Sequence, residues 1–158
     1  MITDFARACI ADSTENYQRA LNDVNEYMDF LIARSEWKEE SPEGWLPSTT
    51  YYAVENNEIL GAIRVRRGRN KIADKLIGYI GFETKPSARR RGIATRLLAW
   101  VAANVLTADT IITCEESNSA SKKVLEKFGA TYLDKSHDEN SQTNYLRYKL
   151  QIKGVRTV

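Results

Sequence analysis

Cysteine, excess charge and long apolar runs are all scarce in this chain, and each scarcity removes a class of function. The two cysteines, Cys9 and Cys114, stand alone and far apart in the sequence, which excludes a disulfide framework and a cysteine-built zinc site. Lysine and arginine total 23 against 21 acidic residues, a net charge of +2. That balance gives no bulk attraction to DNA or to an anionic membrane, so any functional positive charge must be local. No apolar run approaches a membrane span. The opening "MITDFARACI" carries Asp4 and Arg7 among its apolar positions and lacks the apolar stretch of a secretory signal. A reducing cytoplasm is therefore the expected location, with no membrane partner. Neither a Walker loop nor a G-x-G-x-x-G fingerprint is present.

What is present reads as one α/β domain over residues 1–158. Residues 1–40 are expected to be helical. Asp12 and Glu15 have capping-box spacing, and Tyr17, Ala20, Leu21, Val24, Tyr27, Met28 and Leu31 then recur at helical intervals as one apolar stripe. "EESPEGWLPSTT" breaks the pattern with two prolines and a glycine. From about residue 50 to 152 the chain alternates strands and helices. "TYYAVENNEILGAIRVR" predicts a hairpin turning at Asn56-Asn57, and "LIGYIGFE" predicts a third strand thinned by Gly78 and Gly81. Residues 90–106 predict a helix that buries Ile93, Leu97, Leu98, Val101 and Val105. "TIITCEE" predicts a buried strand, "NSASKKVLEKFGA" a helix capped by Asn118 and ended by Gly129, and "ATYLD" and "NYLRYKLQI" two closing strands. His137, in "KSHDEN", is expected in a polar surface loop.

"KPSARRRGIATRLLAW" concentrates the chemistry. Arg89, Arg90 and Arg91 run into Gly92 at the start of a helix, where the macrodipole already disfavours positive charge. Three readings compete: a solvated helix start, a nucleic-acid contact helped by Arg64, Arg66, Arg67, Arg69 and Lys71, or a phosphate cradle built from free helix amides and a close-approach glycine. The order strand, turn, helix favours the cradle.

"GYIGFETKPSARRRGIATRLL" resembles motif A of the GNAT superfamily of acetyl-CoA-dependent N-acetyltransferases. Arg89, Gly92 and Ala94 meet its Gln/Arg-x-x-Gly-x-Gly/Ala pattern, and "CEESNSASKKVLEKFGA" resembles motif B. "PEGWLPSTTYYAV" is similar to a bacterial subgroup of acetyltransferases with largely unassigned substrates. The resemblance implies a mixed, mostly antiparallel central sheet flanked by helices, with a splayed cofactor cleft between the fourth and fifth family strands. It implies acetyl-CoA as acetyl donor and no metal. Cofactor contacts would fall on Phe82, Glu83 and Thr84 along the strand, on Arg89, Arg90, Arg91, Gly92, Ile93, Ala94 and Thr95 at the turn, and on Asn118 and Ser121. The acceptor would be a small-molecule or peptide amine, with no nucleic acid and room for a homodimer. Two alternatives stand beside that enzyme: a catalytically silent acyl-CoA binder and a nucleic-acid-contacting domain.

Two departures from the family pattern bear on mechanism. Leu125 occupies the place of the family's usual acid, a tyrosine, which leaves water or Tyr79 to protonate the departing thiolate. For the base, Glu115 is the expectation and Glu83 its rival. The family's opening strand also has no counterpart in "MITDFARACIADS".

Overall fold

The computed structural model describes residues 1–13 and 15–152. Three helices come first: α1 Ile2–Cys9, α2 Tyr17–Asn22 and α3 Val24–Glu36. The stripe from Tyr17 to Leu31 is thus two helices, not one. Asp23 interrupts it in an extended conformation (φ −152°), and its carboxylate accepts from the amides of Asn25 and Glu26, each at 3.0 Å. A short acidic side chain that satisfies two orphan amides favours a new helix start over continuation. The stripe still packs inward: Tyr17, Ala20 and Tyr27 join Phe5, Ala6, Cys9, Ile59 and Ala62 in one core, with Leu21, Met28 and Leu31 against it. The Asp12–Glu15 capping box does not form. The Asp12 carboxylate pairs with Arg89, and the Glu15 amide donates to Ser13 Oγ.

Six strands follow: β1 Ser48–Glu55, β2 Glu58–Arg66, β3 Ile80–Thr84, β4 Thr110–Glu115, β5 Thr131–Asp138 and β6 Thr143–Leu150, interleaved with helices α4 Ile93–Asn104 and α5 Ser119–Phe128. The sheet order is β1-β2-β3-β4-β6-β5. Only the β3–β4 pair is parallel among the ladders whose register is defined. This is the mixed, mostly antiparallel sheet that the resemblance implies. The chain divides into two compact units, Met1–Gly68 with Phe82–Leu97, and Arg69–Gly81 with the chain from Leu98 onward.

In the first unit β1 and β2 pair around Asn56 and Asn57, both left-handed (φ 50° and 60°), as a tight primed turn requires. In the second unit residues Ala73–Ile77 form a π-helical turn ended by Gly78 (φ 65°), so β3 begins only at Ile80 and "LIG" is not strand. A Cβ on Gly78 would stand 2.8 Å from the Thr113 amide; glycine permits that close approach, though in a turn and not a bulge. Asn118 caps α5 by accepting from the Ser121 amide, and Gly129 ends it at φ 91°. β5 runs on to Asp138, which places His137 in a strand and not a loop; its Nδ1 lies 2.7 Å from Asn144 Oδ1 on β6. Leu146, Tyr148 and Leu150 of β6 are buried in alternation, as their spacing predicts.

Asp23→Ala removes the α3 cap and should lower stability by about 0.5–2 kcal/mol. Urea denaturation checks this: Asp23→Asn should recover most of the loss.

Candidate active site: a left-handed turn and a buried carboxylate

Beyond β3 the chain makes one 3-10 turn at Pro86–Ala88. Arg89 is extended, Arg90 (φ 64°) and Gly92 (φ 74°) are left-handed, and α4 starts at Ile93. The arginines therefore precede the helix and do not form its first turn. The Arg96 backbone amide donates to the Gly92 carbonyl at 3.0 Å. The amides of Ile93, Ala94 and Thr95 precede that first helical bond and have no intrahelical acceptor. Their dipoles and the macrodipole suit an anion. A Cβ on Gly92 would meet nothing within 4 Å, so the turn keeps an open space that any larger residue would begin to fill. The turn is braced from β2. A Cβ on Gly61 would come 2.7 Å from Ile93 Cγ2, 3.0 Å from the Glu83 carbonyl and 3.2 Å from Leu97 Cδ1, so only glycine lets the helix start sit this close to the strand.

Two of the three arginines have carboxylate partners. Arg89 Nη2 lies 3.0 Å from Asp12 Oδ2, and Arg91 Nη2 2.6 Å from Glu55 Oε2. All four side chains are about half exposed, and exposed pairs of this kind contribute little and exchange readily. The pairing nonetheless neutralises most of the run, which leaves little of the unbroken positive face that a nucleic-acid reading needs.

Phe82, Glu83 and Thr84 form the half-buried end of β3, pinned by the Lys85 amide donating to the Leu60 carbonyl at 2.8 Å. The Glu83 side chain turns into the first unit, where the Tyr17 hydroxyl donates to Oε1 in a short hydrogen bond. Burial raises the Glu83 carboxyl above its ordinary value; Tyr17 and Ser13 hydrogen bonds oppose the rise, Glu15 reinforces it and Arg64 opposes it. Beside it Glu15 Oε2 accepts from Arg64 Nη1, Arg64 Nε donates to Thr50 Oγ1 at 3.2 Å, and Tyr27 makes a long 3.4 Å contact with Glu15. Burial, then the Glu83 charge, pushes Tyr17 far above the usual phenol range, so it stays a neutral donor.

The remaining expected site residues lie in the second unit. Tyr79 is buried, and its hydroxyl donates to Asp74 Oδ1 at 2.6 Å, a bond it would have to break to act as an acid elsewhere. Asp74 also accepts from Arg69. Glu115 ends β4 opposite Tyr145. Asn118 and Ser121 are joined to each other by the α5 cap. Leu125 is fully buried, so it is core, and a tyrosine there would overpack. Among the described residues no group of three His, Cys, Asp or Glu side chains could hold a metal, and no helix is long and apolar enough to cross a membrane. Tyr17, Glu15 and Arg64 are the residues that sequence reasoning missed. Tyr17 reads as one member of an apolar stripe, and only its place two residues after Glu15 hints at more.

Because the native Glu83 carboxyl is raised above its ordinary value of 4.5, folding binds a proton between the two values and stability falls there as pH rises. Below the unfolded value neither state is charged and the penalty vanishes. Glu83→Gln should therefore gain stability relative to the wild type as pH climbs through that window, and hold the gain above it. Paired urea melts from acid to neutral pH check this; a pH-independent difference would contradict the burial of a charge.

No curated protein matches the sequence. Solved structures do match in fold. The ribosomal L7/L12 alpha-N-protein acetyltransferase RimL in complex with coenzyme A is 16% identical, with a TM-score of 0.64 over 96% of this chain and 85% of that one. Mycobacterium smegmatis RimJ in complex with CoA-disulfide is 14% identical, with a TM-score of 0.70 over 99% and 79%. The microcin C7 self-immunity acetyltransferase MccE in complex with acetyl-CoA and AMP is 14% identical, with a TM-score of 0.66 over 96% and 83%. The model of the Acetyltransferase (GNAT) family matches residues 12–130, a span that holds the left-handed turn, the braced helix start and the buried carboxylate. The chain belongs to the GNAT acetyltransferase family.

Proposed function

We propose that the chain is an acetyl-CoA-dependent N-acetyltransferase that acts on a primary amine, with Glu83 as the base. The observation that carries the reading is one continuous stretch of first-unit chain, from Glu83 to Thr95. It joins a half-buried, hydrogen-bonded carboxylate with a raised proton affinity to a helix start with free amides, preceded by a glycine that leaves open space beside the turn.

Acetyl-CoA would supply a thioester as acyl donor. The amides of Gly92 to Thr95 would hold its pyrophosphate, with Arg89, Arg90 and Arg91 able to exchange their exposed carboxylate partners for phosphate. The backbone of Phe82, Glu83 and Thr84 would line its arm as an added strand does. Glu83 takes the proton of the acceptor ammonium. The freed amine lone pair then attacks the acyl carbon, the carbon–sulfur bond breaks, and an amide and a thiol result. A carboxylate whose affinity for protons is raised towards neutrality is better matched to this step than an ordinary one. The thiolate needs no buried acid, since a thiol of pKa about 8.5 is a tolerable leaving group and water can reprotonate it.

Two measurements test this reading. Gly92→Ala should weaken acetyl-CoA binding about tenfold or more by calorimetry (tenfold is about 1.4 kcal/mol), while the left-handed strain costs the fold only about 1–2 kcal/mol. Undiminished affinity in the folded variant would remove the turn from the site. Wild-type protein with acetyl-CoA and a panel of primary amines should release coenzyme A with at least one of them, and Glu83→Gln should lose most of that rate. Tight acetyl-CoA binding without turnover on any amine would leave the chain a silent acyl-CoA binder.

A further inference from the structure

Ser13, Glu15 and Tyr17 do more than link α1 to α2 along the chain. At alternate positions, each delivers a polar group to β2 or β3. Tyr17 donates to Glu83, and Ser13 is a hydrogen-bonding neighbour that lowers the proton affinity of the same carboxylate. Glu15 accepts from Arg64 of β2, and Arg64 is fixed in turn by its cross-strand neighbour Thr50. Ser13 is itself oriented, because its Oγ accepts from the Glu15 amide at 2.9 Å, which leaves its proton for Glu83. The Tyr17 ring is packed edge-on against Phe5 and Tyr27, with centroids 5.9 and 6.4 Å away, so the hydroxyl cannot swing away without disturbing the core.

We propose that these residues are the positioning device for Glu83: Tyr17, with Ser13 beside it, holds the carboxylate in place, and Arg64 anchors the second carboxylate of the cluster, Glu15. The proposal rests on reading Glu83 as the base, and it assigns Ser13, Glu15, Tyr17 and Arg64 as positioning residues that need not touch substrate. The groups facing Glu83 come from every element packed on it. They are Cys9 of α1, Ser13 and Glu15 of the linker, Tyr17 of α2, Tyr52 of β1 and Arg64 of β2. Cys9 is held neutral by burial, its thiol pushed up to about 12. Tyr52 is likewise held up near 12 by burial. Among these groups Glu15 and Arg64 are the charged pair, and they act on Glu83 in opposite directions. Two donors and one cation oppose one neighbouring carboxylate and the loss of water, so the proton affinity of Glu83 is set by a balance and not by burial alone.

The balance predicts opposite responses to substitution. Full-length protein with carbon-13-labelled glutamate gives the Glu83 titration directly by NMR, assigned as the resonance missing in Glu83→Gln. Tyr17→Phe and Ser13→Ala should each move its midpoint to higher pH, and Glu15→Gln to lower pH, by about 0.5 or more. Glu15→Gln keeps an oxygen for Arg64, and if it nevertheless unfolds, the two donor variants decide alone. A midpoint that stays put in Tyr17→Phe, or that moves the same way in Glu15→Gln and Tyr17→Phe, overturns the proposal. The base reading fails separately, if Glu83→Gln keeps full acetyl transfer to an amine that the wild type uses. The titration arms hold whichever way that comes out.

Discussion

A carboxylate taken out of water must find hydrogen-bond donors or give up its charge, and the first unit is built around that constraint at Glu83. The donors come from far back in the chain. Tyr17 reaches Glu83 across 66 residues of sequence, and its own ring is held by Phe5 and Tyr27. The N-terminal helices therefore supply the Glu83 hydrogen bond as well as part of the core. Asp23 matters for the same reason. By ending α2 and starting α3, it breaks one long helix into two segments, each of which supplies a tyrosine (Tyr17 and Tyr27) to the same buried network.

The turn after β3 is shaped by a different constraint, that of backbone conformation and close packing: Arg90 and Gly92 are left-handed, and Gly61 admits the start of α4. Gly92 leaves the space beside the turn open, and Gly61 lets α4 press against β2 so that the free amides are fixed in place. The arginines before the helix contribute little to the fold, because their carboxylate partners are exposed. That answers the question their position raises: charge placed where the macrodipole opposes it is tolerable outside the helix, next to Asp12 and Glu55, and it remains available for an anion of higher charge.

How much of this the sequence made legible depends on how local the cause was. The Asn56-Asn57 hairpin, the α5 cap at Asn118 with its left-handed stop at Gly129, and the buried face of α4 from Ile93 to Val101 are all set by residues within a turn of one another, and they were readable. The break at Asp23 was local too, but a stripe of seven apolar residues outweighed one aspartate in the pattern. The π turn before Gly78 was hidden because "LIGYIG" is apolar on every face, which fits a buried strand and a buried helical turn equally. His137 looked like loop because polar composition hid an edge strand whose residues are mostly exposed. The hydrogen-bonded surroundings of Glu83 were not legible for a non-local reason. Nothing in its neighbours announces a tyrosine from α2, and burial of a strand-end carboxylate is a property of the folded chain alone.

The central claim is that one stretch, Glu83 to Thr95, is where acetyl-CoA meets the protein. The most direct measurement is an amide NMR titration of the uniformly labelled chain with acetyl-CoA. The account predicts saturable shifts concentrated at Phe82–Thr84 and Arg91–Thr95, with dephosphorylated pantetheine moving the first group and sparing the second. Saturable binding that leaves the amides of Gly92 to Thr95 unmoved would contradict it.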